Sequence, residues 1–441
     1  MAERLPPEDT LSSLSVSGSA DSGGPGPEKG TRKPPHWFPL LLGTLTAVGP
    51  VSTDVYLPAL PMMEAQLHSP AGSGSLTMTA WVIGLALGQV CVGPLADRFG
   101  RRTPLLIGTL GYALASVGCA LAQGMGVLCA FRALAAFMGA ASLVVPNAIV
   151  RDTTSGNASA RLMSRLIAVQ GVVPIAAPAL GGFALTWISW RDIFWLMAVY
   201  GLLCMVLVFL LLPETLDADH RQPVQLKRVL ERYWRIFNDP TFFYSGMVWI
   251  LQGFVVFTYL SAAPYLFEQV FYFTPMQYGL LFGGCAICMI GVSQINAVLV
   301  ERISSQKLLR FCLLLSLGGA VTLLCLALAA AWVVHNGGQL GHGWAALLIA
   351  AMLAVLAPGG GIGPNAAAAA LYHQGRNAGT AAALAGTGQY LTGALASALC
   401  AVLPVGTALP MAALFFLATL AMCYCAWKAP REAGTEGSRT P

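Results

Sequence analysis

The sequence predicts an all-α membrane protein: twelve transmembrane helices in two six-helix halves, with both termini in the cytoplasm. Three observations lead there. The first is composition. Only 24 Lys+Arg and 19 Asp+Glu occur in 441 residues, so 10% of the chain is charged and 56% is hydrophobic. Soluble domains run at roughly 25% charged, and a water-soluble surface of this size needs more charge than that to cover it. The second is the recurrence of apolar runs of about 20 residues, the length that crosses a ~30 Å hydrocarbon core as a helix. Strands of a membrane barrel alternate apolar and polar residues and give no such runs. The third is a one-sided distribution of basic residues among the loops. The same composition argues against a disordered chain, and a net charge of +5 is too small to suggest nucleic-acid binding.

Residues 1–35 are rich in Ser, Gly and Pro and read as a disordered cytoplasmic tail; no apolar core follows an early basic stretch, as a signal peptide would require. The N-terminal half, 36–212, holds apolar stretches at about 37–60, 75–95, 104–122, 127–149, 162–187 and 192–212. A charged cytoplasmic linker, 213–240, carries Arg221, Lys227, Arg228, Arg232 and Arg235. The C-terminal half, 241–427, holds stretches at about 241–264, 276–299, 308–332, 344–370, 379–404 and 409–427. Residues 428–441 form a second polar, cytoplasmic tail. The stretches are numbered spans 1 to 12.

Orientation follows from the positive-inside rule. Of the 24 Lys and Arg, 22 lie in the N-terminal tail, the loops after even-numbered spans, the linker and the C-terminus; the opposite loops hold Arg191 alone, and Arg132 lies within span 4. The 11 Cys fall almost entirely within spans, where Cys behaves as a small apolar residue, and Cys285 and Cys288 read as packing rather than as a redox or zinc pair. None of the six His lies mid-span, which leaves no metal centre, and no cofactor is expected. An intramembrane protease would need a second membrane Asp, a His-Glu-x-x-His helix or a mid-span base, so the chain reads as no enzyme. The acid–Arg pair Asp97-Arg98 after span 2 recurs as Glu301-Arg302 after span 8, which suggests two repeats with a site between them at mid-membrane.

The loop Gly93-Pro94-Leu95-Ala96-Asp97-Arg98-Phe99-Gly100-Arg101-Arg102 resembles the span 2–3 signature of the major facilitator superfamily. Span 5 carries Pro174, Pro178, Gly181 and Gly182 in an arrangement similar to that superfamily's antiporter motif, with Ala177 in place of its first Gly. Asp54-Val55-Tyr56-Leu57-Pro58, Val150-Arg151-Asp152, Ser189-Trp190-Arg191-Asp192 and Ala378-Gly379-Thr380-Ala381 are similar to the Bcr/CflA branch, the bicyclomycin- and chloramphenicol-resistance type of twelve-span drug:proton antiporters. The family's span-4 Gln is absent: the chain reads Arg132-Ala133-Leu134-Ala135-Ala136.

Asp54 and Arg132 read as the only clearly intramembrane charges, each costing roughly 2.5–3.5 kcal/mol at a bilayer centre. At 1.5 Å per residue they lie ~9 and ~8 Å inside the outer ends of spans 1 and 4. The resemblance implies that both spans line a central cavity, so Asp54 is expected to carry the proton and Arg132 to tune it; the competing reading is a static ion pair that packs the two spans. Gly93, Asp97, Arg98, Gly100, Arg101, Arg102 and Asp152 are expected to form a conformational latch, with Asp97 capping span 11 and Arg101 or Arg102 pairing with Asp152. The span-5 prolines and glycines are expected to bend and pack that helix during alternating access. Tyr56, Met78, Trp81, Gln170, Gln252 and Tyr259 are candidate substrate contacts. The resulting expectation is a monomeric, proton-coupled multidrug efflux antiporter of the bacterial inner membrane. One acid and one base in the cavity point to neutral or zwitterionic, moderately lipophilic substrates. An importer or metabolite exporter on the same fold is the alternative.

Overall fold

A computed structural model describes residues 37–154, 156–216, 226–372, 374–404 and 406–429. The expected tail 1–35, part of the linker and all but the first two residues of 428–441 lie outside them. Among the described residues every regular element is helical. The first half comprises Phe38–Gln66, Ser75–Phe99, Arg102–Ala120, Met125–Thr153, Gly156–Ala184 and Trp190–Leu211, and the second Pro240–Val270, Pro275–Leu299, Ser305–His335, His342–Leu371, Ala378–Val402 and Leu409–Lys428. Eleven of these are long and apolar enough to cross a membrane. Span 11, Ala378–Val402, is a 25-residue helix without a charged residue, but Gly, Ala and Thr dilute its hydropathy. Those small residues serve close packing: a side chain at Gly388 would strike Ile250, one at Gly393 would strike Phe257, and the Gly253 position of span 7 lies against the Gln389 backbone. The linker contributes the amphipathic helix Leu226–Phe237.

Span 1 is broken. Its helix runs Phe38–Asp54, a 3-10 turn covers Leu57–Ala59, and a second helix runs Leu60–Gln66. Pro58 has no N–H to offer the Asp54 carbonyl, and Pro61 none for Leu57, so the helical ladder lapses there. Span 7 ends in a wide turn over Tyr265–Val270, just after Pro264. These continuations carry Glu64 and Glu268 into apolar helices that the sequence reading had ended at residues 60 and 264. Asp54 and Arg132 are therefore not the only charges within the spans.

The halves meet closely where span 5 lies along span 8. A Cβ at Gly182 would strike the Pro275 carbonyl, one at Gly279 the Pro178 carbonyl, and one at Gly283 the Ile175 carbonyl. This is backbone-to-backbone approach, which only small residues allow. Gly181 faces the other way, onto the Val55 carbonyl at the break in span 1. Gly279→Ala is expected to force spans 5 and 8 apart at a cost on the order of 1–3 kcal/mol, seen as a lower unfolding temperature in detergent. Gly284→Ala, whose added carbon meets nothing within 4 Å, should leave that temperature unchanged.

Candidate functional site

Between the halves lies a cavity of about 410 Å³, walled by spans 1, 2, 4, 5, 7, 8, 10 and 11. Pro50, Thr53 and Asp54 come from span 1, Gln170 and Pro174 from span 5, and Phe257 and Tyr259 from span 7. Phe282, Cys285 and Met289 come from span 8, and Gln389 and Tyr390 from span 11. Asp54, 5% exposed, supplies the cavity's carboxyl, and no hydrogen bond or ion pair ties it to another described residue. Tyr259 stacks on Phe282 with ring centroids 5.2 Å apart. The result is an aromatic and Met-lined chamber with two amides, the mixture that gives adaptable apolar contact with a few orienting polar groups.

Arg132 is elsewhere. It is 1% exposed, and its guanidinium lies 4.2 Å from the Tyr56 ring, 4.3 Å from Trp81 and 5.7 Å from Phe194. It donates to the Ser52 carbonyl at 3.0 Å, next to the break in span 1. The static Asp54–Arg132 ion pair of the competing reading does not form: Asp54 looks into the cavity while Arg132 sits in an aromatic box inside the first half. Comparing depth alone could not reveal this, because residues at one level can lie on opposite faces of their helices. The same packing corrects three substrate candidates. Tyr56, Met78 and Trp81 are fully buried in the core of the first half, and Tyr56 and Trp81 form the walls of the Arg132 box. Gln252 turns toward Gly359 of span 10. Of the six candidates, Gln170 and Tyr259 line the cavity. Cys285 also lines it, where the sequence reading had it as packing.

One end of the cavity is sealed between the halves. Glu64, 3% exposed, accepts hydrogen bonds from the Tyr265 hydroxyl at 2.6 Å and the Gly74 amide at 2.5 Å. Ser75 Oγ donates to the Ser261 carbonyl at 3.1 Å, and Ser261 reaches Ser397 of span 11 at 2.8 Å. Sequence reading missed Glu64 because the apolar run was ended at residue 60, four residues before it.

The span 2–3 loop is knit together within the first half. Arg101 bonds Asp152 at 2.8 Å and Asp97 at 2.6 Å. Glu214 accepts from the backbone amides of Arg101 at 2.7 Å and Arg102 at 3.3 Å. Burial works against the Arg101 charge, but the bonds and charges of Asp152 and Asp97 outweigh it and raise its pKa. Gly100 has φ +90°, and a side chain there would strike the Glu214 carboxylate. Arg102 donates to the Phe209 carbonyl at 2.6 Å, and Arg98 lies over the Phe99 ring; Gly93 has open space beside it. The expected Asp152 pairing forms with Arg101. The expected capping of span 11 by Asp97 does not: Asp97 is half exposed and held by Arg101, so the loop fastens spans 2, 3, 4 and 6 to one another. Glu214, just past the end of span 6, completes this network.

Residues 42–397 match the Major Facilitator Superfamily. The chain is 31% identical over 380 residues to an uncharacterized MFS-type transporter, YdgK, of Bacillus subtilis, covering 86% of this chain and 91% of that one. It is 28% identical over 383 residues to a bicyclomycin resistance protein homolog of Haemophilus influenzae, covering 85% and 91%. Among solved structures, a D-xylose-proton symporter superposes with a TM-score of 0.66 at 16% identity, covering 87% of this chain and 95% of that one; this likeness is one of fold.

Separation of Asp54 from Arg132 has a measurable consequence. Arg132→Met leaves the buried Ser52 carbonyl without its donor and should cost about 1–3 kcal/mol of stability. Its effect on thermal unfolding should add to that of Asp54→Asn, as for residues that do not touch. A strong non-additive coupling would restore the ion pair.

Proposed function

The chain belongs to the Major Facilitator Superfamily, and from that premise we propose that it is a monomeric efflux antiporter, exporting small, moderately lipophilic compounds in exchange for protons by alternating access. Its family and its many apolar helices make it a multi-pass protein of the bacterial inner membrane. Resistance to bicyclomycin, in the name of one relative, supports the efflux reading.

The observation that carries the proposal is Asp54: a buried carboxyl on the wall of an aromatic cavity, with no hydrogen bond or ion pair to another described residue. A carboxylate in that position is costly, so binding a proton relieves it, and arrival of water or a cationic group lets the proton go. Proton and substrate then compete for one surface, which is the essence of antiport. With Arg132 off the cavity wall, the argument for zwitterions loses its base. One carboxyl among aromatic rings favours neutral or singly cationic compounds, since rings attract cations through their faces. The membrane orientation, twelve crossings with both ends cytoplasmic, rests on the basic-residue count; under it the Glu64–Tyr265 seal is external and the cavity faces inward.

Asp54→Asn, at normal protein levels, should abolish export driven by a proton gradient while leaving substrate binding to purified protein measurable. Unimpaired proton-driven export would remove Asp54 from the mechanism, and substrate accumulation driven by an inward proton gradient would favour an importer. At the other end, Tyr265→Phe deletes the hydroxyl held by Glu64. Hydrogen exchange over residues 60–75 and 261–271 should quicken relative to the rest of the protein.

A further inference from the structure

A second concavity lies wholly within the C-terminal half. It is a groove of about 360 Å³ between spans 8, 9 and 10, and it shares no lining residue with the central cavity. Its origin is the break in span 10. The helices His342–Leu356 and Gly359–Leu371 part at Ala357–Pro358, because Pro358 cannot donate to the Ala354 carbonyl. Small residues at that break leave space beneath the side chains of spans 8 and 9. Ile295, Phe311 and Leu315 border the space and are 50–60% exposed, so the groove opens on the outer, membrane-facing surface.

The groove changes character along its length. From Leu315 to Leu308, about 10 Å of helix, it is apolar. Asn296 then enters the wall. That side chain is 7% exposed; its Oδ1 accepts from Asn365 at 2.6 Å, while its amide nitrogen donates to no described residue. Beyond it come two cations. Lys307 precedes Phe311 by four residues, so both lie on one face of span 9. Arg302 follows Leu299 by one turn, its amide bonded to the Leu299 carbonyl at 3.0 Å. Both are exposed, and neither has an ion-pair partner among the described residues. Glu301 alone opposes them. Here too begins span 9, a 31-residue helix whose N-cap Ser304 makes no side-chain cap bond, which leaves first-turn N–H groups directed at the same place.

Apolar channel, buried donor, cations: this is the order of an acyl chain, an ester and a phosphate. We propose that the groove between spans 8, 9 and 10 is a binding site for one anionic diacyl phospholipid. An acyl chain lies along Leu308, Phe311 and Leu315, the Asn296 amide donates to the glycerol ester, and Lys307 and Arg302 hold the phosphate. The basic-residue count places this end at the cytoplasmic leaflet, where juxtamembrane cations attract anionic headgroups. The site needs only a membrane-embedded chain and is independent of the antiport reading.

Purified full-length protein, stripped of lipid and offered equal amounts of phosphatidylglycerol and phosphatidylcholine with matched chains, is the test, with bound lipid counted by native mass spectrometry. Wild-type protein should retain phosphatidylglycerol about fivefold over phosphatidylcholine, the attraction of roughly one basic residue near a membrane surface. Lys307→Gln with Arg302→Gln, both exposed, should bring the two lipids to parity with an unchanged unfolding temperature. Ile295→Trp, filling the groove, should reduce retention of both. Inorganic phosphate should not displace the lipid. Parity in the wild type, or a preference that survives the double substitution, would overturn the proposal.

Discussion

A carbonyl inside a membrane must find a donor within the protein, since no water is there to supply one. Span 1 makes this demand acute. Pro58 and Pro61 interrupt its ladder midway, freeing the Asp54 and Leu57 carbonyls, and just before the break Arg132 of span 4 bonds the Ser52 carbonyl at 3.0 Å. Much of the functional geometry depends on that arrangement. Below the break the first helix ends on Asp54, at the cavity wall; above it the second helix carries Glu64 to the seal with Tyr265. Three aromatic rings around the guanidinium supply what a carboxylate counter-ion would otherwise supply. Asp54 is thereby left free of a permanent partner, which a group that exchanges a proton requires.

The two sides of the molecule are held differently. At the Glu64 end, spans of opposite halves touch through hydrogen bonds and through glycine-mediated backbone contact along spans 5 and 8. The Asp97–Arg101–Asp152–Glu214 network ties together only spans of the first half. A half cross-braced in this way moves as one body, and the glycine interface gives it a surface with few side chains to interlock. Rigid-body rocking about a fixed central site is the motion such construction favours.

Fold class and helix positions were legible because they depend on composition and run length, which the sequence displays directly. The contact on Asp152 was legible in part, since the span 2–3 loop resembles the family signature and Asp152 ends span 4, but which of Arg101 and Arg102 makes it was not. Less visible was which way a buried side chain turns. Asp54 and Arg132 share a depth, yet the register of span 4 points Arg132 at Tyr56 and Trp81 and away from the cavity. Glu64 was hidden for a different reason: the apolar run fades near residue 60, and the chain resumes a short helix beyond the prolines. Gln389, Tyr390 and Met289 gave no signal, because amides, aromatics and Met in an apolar helix look alike whether they face a cavity or a neighbour.

Charge scarcity ties these features together. In so apolar a chain a buried ionisable group needs a physical justification, and for three of them the structure supplies a different one each. Arg101 is matched by two carboxylates, Arg132 by rings and a carbonyl, Glu64 by a hydroxyl and an amide. Asp54 alone of these four has no partner and borders open space. A carboxyl left in that position is tolerated when something that comes and goes completes it. The 410 Å³ chamber admits both a proton and a small substrate to it, and under the proposed antiport the two take turns at that carboxyl.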